Sequence, residues 1–261
     1  MGSQYALITG ASSGIGLELA HVAASNHLNL ILLARNAERL MQLRTELEDL
    51  YPVKVLAVGC DLSDRETAEK IEILLESRKI IPDILINNAG FGLYGSFDKT
   101  DIVKELNMLQ LNIVTLTQLT KIIYQKMIAR GSGKIMNVSS VAGFMPGPLM
   151  SVYYASKAYV LSFTEALANE AMGTGVTVTV LCPGPTSTNF EKNASAEKSL
   201  LFKNFGKIPS AQEVAKYGWA SLMKGKTTAV YGAKNRWMLF LTRFMSRKAL
   251  TSMVRKMQRP A

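Results

Sequence analysis

Two short stretches hold residues whose types and spacing could do chemistry. In Tyr153-Tyr154-Ala155-Ser156-Lys157, Tyr153 and Lys157 stand four apart, so on a helix they share one face. An ammonium beside a phenol favours the phenolate and lowers a pKa that starts at about 10. A tyrosine placed so can give or take a proton near neutral pH. A solvated pair on a helix surface would show the same spacing. The second stretch is Thr9-Gly10-Ala11-Ser12-Ser13-Gly14-Ile15-Gly16. Here Gly10 would allow a sharp turn, Gly14 a close approach of backbone to a pyrophosphate, and Gly16 tight packing of helix on strand. The start of a following helix offers unpaired N–H groups and partial positive charge to an anion. Glycines also serve ordinary strand-to-helix turns, but this motif opens a βαβ unit, as phosphate binding requires.

The elements that must position these residues can be read from periodicity. Tyr5-Ala6-Leu7-Ile8 predicts a buried strand, and Leu17, Ala20, Ala23 and Ala24 recur at helical spacing after the glycines. The apolar run over 28–34 predicts a parallel strand covered on both faces. Its end carries Ala34, Arg35 and Asn36 with no carboxylate. A ribose with a free 2′-hydroxyl wants an acid there, whereas Arg35 can fork onto a 2′-phosphate, which points to NADPH rather than NADH. A surface arginine at the start of the next helix is the plainer alternative. That helix spans 36–50, with Leu40, Leu43, Leu47 and Leu50 on one face.

A third strand over 53–58 leads to Asp61, Leu62 and Ser63, with Ser63 and Glu66 read as a capping box for a helix over 65–79. Asp61 could meet an adenine amino group or serve as a second capping acid. A fourth strand over 84–86 runs into Asn87-Asn88-Ala89-Gly90, where small and amide side chains suit backbone close to a ligand. Asn87 could instead brace neighbouring strands. A long helix over 101–129 turns Leu106, Leu109, Ile113, Leu116 and Leu119 inward and carries Asn112, a poor helix former, at its middle. A fifth strand over 135–138 ends at Ser139-Ser140, ahead of a helix over 152–172. A sixth over 176–181 ends at Cys182-Pro183-Gly184-Pro185-Thr186. The polar segment 187–208 is predicted as a substrate lid, Ser210 and Glu213 cap a helix to about 223, and a short last strand covers 228–231.

Composition excludes several classes. The 261 residues are 48% apolar with no linker, repeat or low-complexity run, which predicts one α/β domain. Cys60 and Cys182 have no metal-ligand spacing and suggest no disulfide framework, so no metal and a cytoplasmic setting are expected. His21 and His27 lie near the first helix and are read as structural. No signal peptide or membrane span is expected, and Ala6 stands where a myristoylation signal wants Ser or Thr. The net charge of +10 belongs to the tail: 19 basic and 20 acidic residues precede residue 214, and 11 basic and no acidic ones follow. The body is therefore not a nucleic-acid binder by composition.

Taken together in this order and spacing, these residues resemble the short-chain dehydrogenase/reductase family over about 5–232. The motifs are TGASSGIG at 9–16, Asp61, NNAG at 87–90, Asn112, Ser140, the Tyr153/Lys157 pair and Pro183-Gly184. The resemblance implies a seven-stranded parallel, doubly wound (Rossmann-like) sheet with NADP(H) across the carboxyl ends of its strands. It implies cofactor contacts from Gly10, Ser12, Ser13, Gly14, Ile15, Gly16, Arg35, Asp61, Leu62, Asn88, Ala89, Gly90, Tyr153, Lys157, Pro183, Gly184, Thr186 and Thr188. By position, Tyr153 would be the general acid, and Lys157 would hold the nicotinamide ribose and lower the Tyr153 pKa. Ser140 would bond the reacting oxygen, and Asn112 would fix a water. The implied reaction is hydride transfer between NADPH and a carbonyl or alcohol. Met145, Met150 and Phe190 suggest an apolar substrate pocket. The alternative is a catalytically silent sensor or membrane-surface scaffold, against which the complete catalytic set argues. The family commonly forms homodimers or homotetramers through the helices over 101–129 and 152–172, although core packing would also account for their leucines.

The stretch 233–261 departs from the compact family pattern and is read as a basic amphipathic helical extension. Trp237, Phe240, Leu241, Phe244 and Met245 share a face that Leu250, Met253, Val254 and Met257 continue. It could lie peripherally on an anionic membrane, or pack on the domain or a partner subunit with its basic face solvated.

Overall fold

The structure, a computed structural model, describes residues 4–188, 190 and 208–259. Seven strands, β1 Tyr5–Thr9, β2 Asn29–Ala34, β3 Val55–Gly59, β4 Ile84–Asn87, β5 Gly133–Val138, β6 Val176–Cys182 and β7 Thr228–Val230, form one sheet in the order β3-β2-β1-β4-β5-β6-β7. Every neighbouring pair is parallel. The helices are α1 Gly14–Ser25, α2 Ala37–Leu50, α3 Thr67–Ser77, α4 Ile102–Leu109, α5 Leu116–Arg130, α6 Ser151–Glu170, α7 Ala211–Met223, α8 Ala233–Thr242 and α9 Arg247–Met257.

The strands are mainly apolar because successive residues feed opposite layers. Ile8, Leu30 and Leu32 join Leu19, Leu40, Leu43 and Val214 in one core. Leu7, Ile31 and Leu33 join Ile71, Leu75, Leu119 and Ile123 in the other. Each fully buried leucine or isoleucine stabilises the fold by roughly 1.5–3 kcal/mol. A polar seam crosses the second layer, in which Asn87 donates to Thr120 and Asn137 at 2.9 Å and Asn137 donates to Thr164 at 3.0 Å. Asn87 thus braces strands and helices.

Several expectations are corrected. The helix expected over 101–129 is interrupted by a π-helical segment, Gln110–Thr115, with Asn112 buried inside it. Leu106 faces outward, as does Leu50, the last residue of α2. Ser63 and Glu66 form no capping box, since Asp61 accepts from the Ser63 amide and hydroxyl and Asp64 accepts from the Glu66 amide. These carboxylate turns delay α3 to Thr67. The box at Ser210 and Glu213 is present. The lid expected over 187–208, with Leu200, Leu201, Phe202 and Phe205, lies outside the described residues except for Ser187, Thr188, Phe190 and Ile208.

The basic extension is two helices, because Ser246 caps a new start by accepting from the Ala249 amide. α9 buries Leu250 and Val254 against Met108, Met150, Tyr153 and Tyr154. Beyond it Gln258 is fully buried, its side-chain amide donating to the Tyr154 hydroxyl at 2.6 Å while its backbone carbonyl accepts from the Tyr94 hydroxyl at 2.6 Å. Gln258→Ala would strand the Tyr154 hydroxyl in the interior, at a cost of roughly 1–3 kcal/mol. Calorimetry should show Tm lowered by several degrees; an unchanged Tm would show that this bond carries no weight.

Candidate active site

A cleft of about 480 Å³ opens along the carboxyl ends of the strands. One end is built by the β1–α1 turn, where Gly10, Ser12, Ser13, Gly14 and Ile15 line the wall. Gly10 and Gly14 take φ of +67° and +56°, which glycine tolerates and other residues resist. A Cβ on Gly16 would overlap the Gly10 carbonyl oxygen and the Asn88 amide, so Gly16 serves packing rather than lining the cleft. Asn88 fixes the turn by donating to the Thr9 carbonyl at 3.0 Å and the Gly10 carbonyl at 3.3 Å. Ser13, the residue capping α1, makes no side-chain capping bond among the described residues, and the first turn holds no acid. The helix start therefore faces the cleft with N–H groups available to an anion.

Arg35, at the end of β2, is exposed and lines the same cleft with Asp61 and Leu62. Burial pushes the Asp61 carboxyl up, but the Ser63 hydrogen bonds and the nearby Arg35 charge bring it below the usual range. Asn88, Ala89 and Gly90 continue the wall, and Pro183, Gly184, Thr186 and Thr188 close it from the other side. A Cβ on Gly14 would come within 3.1 Å of Thr188, so the two walls nearly touch over the turn. The donors and shape at this end fit a dinucleotide with an extra phosphate: a glycine cradle at a helix start, and a guanidinium where a carboxylate would stand for an unphosphorylated ribose.

Ser140, Tyr153 and Lys157 meet at the other end. Ser140 accepts from the Ala142 amide at 3.1 Å, donates to the Pro183 carbonyl at 3.3 Å and lies near enough to the Tyr153 phenol to influence its titration. Lys157 is buried, its Nζ donating to the Val138 carbonyl at 2.9 Å and lying 5.8 Å from the centre of the Tyr153 ring. Burial drops its pKa to about 8. Burial also raises the Tyr153 phenol well above its ordinary value, with the nearby Ser140 hydroxyl opposing. The four-residue spacing gave the ammonium the leading influence on Tyr153. In the structure desolvation leads, because both groups lie in the interior and the amine is turned to a carbonyl. Ser139 points away from the cleft's chemistry and donates to the Lys157 carbonyl at 2.7 Å.

Asn112 is not on the cleft wall. It donates to the Phe91 carbonyl at 3.0 Å and to Ser156 at 3.1 Å, and accepts from the Phe91 amide at 3.3 Å. A Cβ on Gly90 would come within 3.0 Å of Asn112 and 3.3 Å of the Lys157 amine, so the three are neighbours. Around Tyr153 the cleft is apolar: the Phe190 ring leans against it, tilted by 47° with centroids 5.3 Å apart, and Met150 lines the same end. Met145 packs just behind. Tyr154, Phe91 and Leu111 also line the cleft and were not singled out from the sequence. Their types are ordinary core types, and only the fold aims them inward.

The short chain dehydrogenase family model matches residues 4–199. With this sheet and this serine, tyrosine and lysine, the chain belongs to the short-chain dehydrogenase/reductase family of oxidoreductases. It is 30% identical over 241 residues to the ketoacyl reductase HetN of Nostoc sp., covering 92% of this chain and 82% of that one. It is 34% identical over 191 residues to 17-beta-hydroxysteroid dehydrogenase type 3 of Mus musculus, covering 72% of this chain and 62% of that protein. A short-chain dehydrogenase from Sphingobium yanoikuyae, solved in complex with NADPH, superposes with a TM-score of 0.82 at 30% identity over 98% of both chains.

The buried lysine has a consequence for stability. Its folded pKa of about 8 lies below the ordinary 10.5, so between those values the unfolded chain holds a proton that the folded one has lost. Its contribution therefore makes stability rise with pH across that window, by up to about 1.4 kcal/mol per pH unit, with the full penalty present below pH 8. In Lys157→Met the rise should vanish. Denaturant titrations of both proteins between pH 7 and 9.5 check this, and parallel curves would refute it.

Proposed function

We propose that this protein is an NADPH-dependent carbonyl reductase, also able to run as an alcohol dehydrogenase, acting on an apolar carbonyl compound. The observation that carries the reading is the meeting of Ser140, Tyr153 and the buried Lys157 on the wall of one cleft whose other end is a glycine cradle. A bound nicotinamide supplies the hydride to the carbonyl carbon, or accepts it in the reverse direction. The Ser140 hydroxyl and the Tyr153 phenol hold the carbonyl oxygen. As its double bond opens, the Tyr153 O–H breaks and the proton passes to that oxygen, leaving the alcohol and a phenolate. A phenol that burial keeps protonated is suited to donate rather than to ionise in the resting site. Lys157 would hold the nicotinamide ribose. It would also offset the tyrosinate as it forms, an interaction strengthened by the absence of water.

Gly10, Ser12, Ser13, Gly14 and Ile15 would hold the pyrophosphate, Arg35 the 2′-phosphate, and Asp61 with Leu62 the adenine. Asn88, Ala89, Gly90, Pro183, Gly184, Thr186 and Thr188 would flank the remainder. Asn112 would fix the segment after Gly90 through both amide and carbonyl, and so the water assigned to it in the proton path. The NADPH complex of the Sphingobium protein supports the cofactor assignment. The ketoacyl and hydroxysteroid names of the two relatives support an apolar carbonyl substrate, as do Met150 and Phe190. Exposed Ile102, Val103 and Leu106 on α4 support assembly as a homo-oligomer.

Tyr153→Phe should retain NADPH binding and lose turnover by about 10²–10⁴, the worth of a positioned general acid. Turnover like that of the native protein would remove Tyr153 from the mechanism. Arg35→Asp should weaken NADPH and spare NADH in fluorescence titrations. Equal loss of both would break the 2′-phosphate assignment.

A further inference from the structure

The two helices of the basic extension treat their apolar faces differently. α9 spends its own on the domain, with Leu250 and Val254 buried. α8 turns Asn235 and Leu239 inward, where Leu239 packs with Val141, Phe144 and Met145. Its other face carries Trp237, Phe240 and Leu241 at i, i+3 and i+4, and Phe244 follows in the turn just past its end. These are 66%, 47%, 58% and 76% exposed. The rings touch each other edge to face, at 5.9 Å for Trp237–Phe240 and 5.4 Å for Phe240–Phe244, forming one continuous aromatic stripe. Exposed apolar patches of this kind mark interaction sites. Arg236, Arg243, Arg247 and Lys248, all exposed, flank the stripe in sequence, and no acidic residue follows Glu213.

We propose that α8 is an interfacial anchor that lies in the headgroup region of an anionic lipid bilayer. Charge complementarity selects this occupant. Aromatic rings favour the boundary between headgroups and acyl chains, and the bordering cations meet the negative lipid surface. A second copy suits the stripe poorly. A symmetric pairing of this face would set the same four cations against each other, with no acid in the segment to neutralise them. Among the described residues no helix is long and apolar enough to cross a membrane, so the contact is peripheral. The lipid-facing surface is thus 237–244 alone, not the whole extension. Its inner side packs on Val141, Phe144 and Met145, in the segment after Ser140, so the anchored helix, through the face opposite the stripe, adjoins the substrate end of the cleft. This inference goes beyond the reaction proposed above and does not depend on it.

The test sediments the full chain with vesicles of phosphatidylcholine alone or with about 30% phosphatidylserine, since the anionic surface potential supplies the attraction. Two variants accompany it, Trp237→Ser/Phe240→Ser/Phe244→Ser and Arg243→Glu/Arg247→Glu/Lys248→Glu, all at exposed positions, with NADPH titration and gel filtration of each. The native chain should pellet with the anionic vesicles and not with the neutral ones. Each variant should lose binding by at least about tenfold at unchanged NADPH affinity. No pelleting with anionic vesicles, or equal pelleting of the serine variant, would overturn the proposal. A native dimer that the serine variant turns into monomers would do so too, assigning the stripe to a second copy.

Discussion

The site depends on how one buried amine is held. Lys157 Nζ donates to the carbonyl of Val138, the last residue of β5, while the next residue, Ser139, donates back to the Lys157 carbonyl on α6. Ser139 is tied in turn to β6 through its amide and the Leu181 carbonyl at 2.8 Å. Gly143 crosses so close above that a Cβ there would lie 2.7 Å from the Lys157 carbonyl oxygen. Strand, helix and loop are thereby locked at the point where Ser140 leaves the sheet and Tyr153 leaves the helix. A buried ammonium is costly, and the interior lowers its pKa accordingly. The fold retains it at the meeting point of three elements, on the wall of the cleft where the proposed reaction would take place.

Much of this was legible in the residues. Apolar runs read as doubly covered strands, and glycines at fixed offsets located the turn that shapes the cleft. These features depend on local chemistry: Gly10 must have positive φ, and a parallel strand must be apolar on both faces. The tyrosine and lysine were found by spacing, because a helix converts a four-residue interval into neighbourhood.

Other features depend on distant partners and were not legible. The interval between Tyr153 and Lys157 could not reveal that the amine turns to Val138 or that burial governs the phenol. Asn112 looked like an isolated misfit in a long helix. Its partners, Phe91 and Ser156, lie far away in sequence, and the π segment appears only once they are in place. Ser63 and Glu66 satisfied the pattern of a capping box, yet Asp61 and Asp64 offered stronger acceptors close by. In the extension a single amphipathic stripe became two, split at Ser246. One half is drawn in by Tyr94 and Tyr154 through Gln258, a residue with no recognisable motif around it.

The order of the sheet also bears on biosynthesis. β1 is made first but lies in the interior of the sheet. It pairs with β2 at once, Ala6 opposite Leu30, whereas its other edge waits for β4, Ala6 opposite Ile84. A ribosome adding roughly 5–20 residues per second leaves that apolar edge uncovered for several seconds, alongside an equally apolar β2. An open edge of this kind is a template for unwanted strand pairing. The nascent chain is most in need of shielding after β3 is made and before Ile84–Asn87 emerges, well before Ser140, Tyr153 or Lys157 exists.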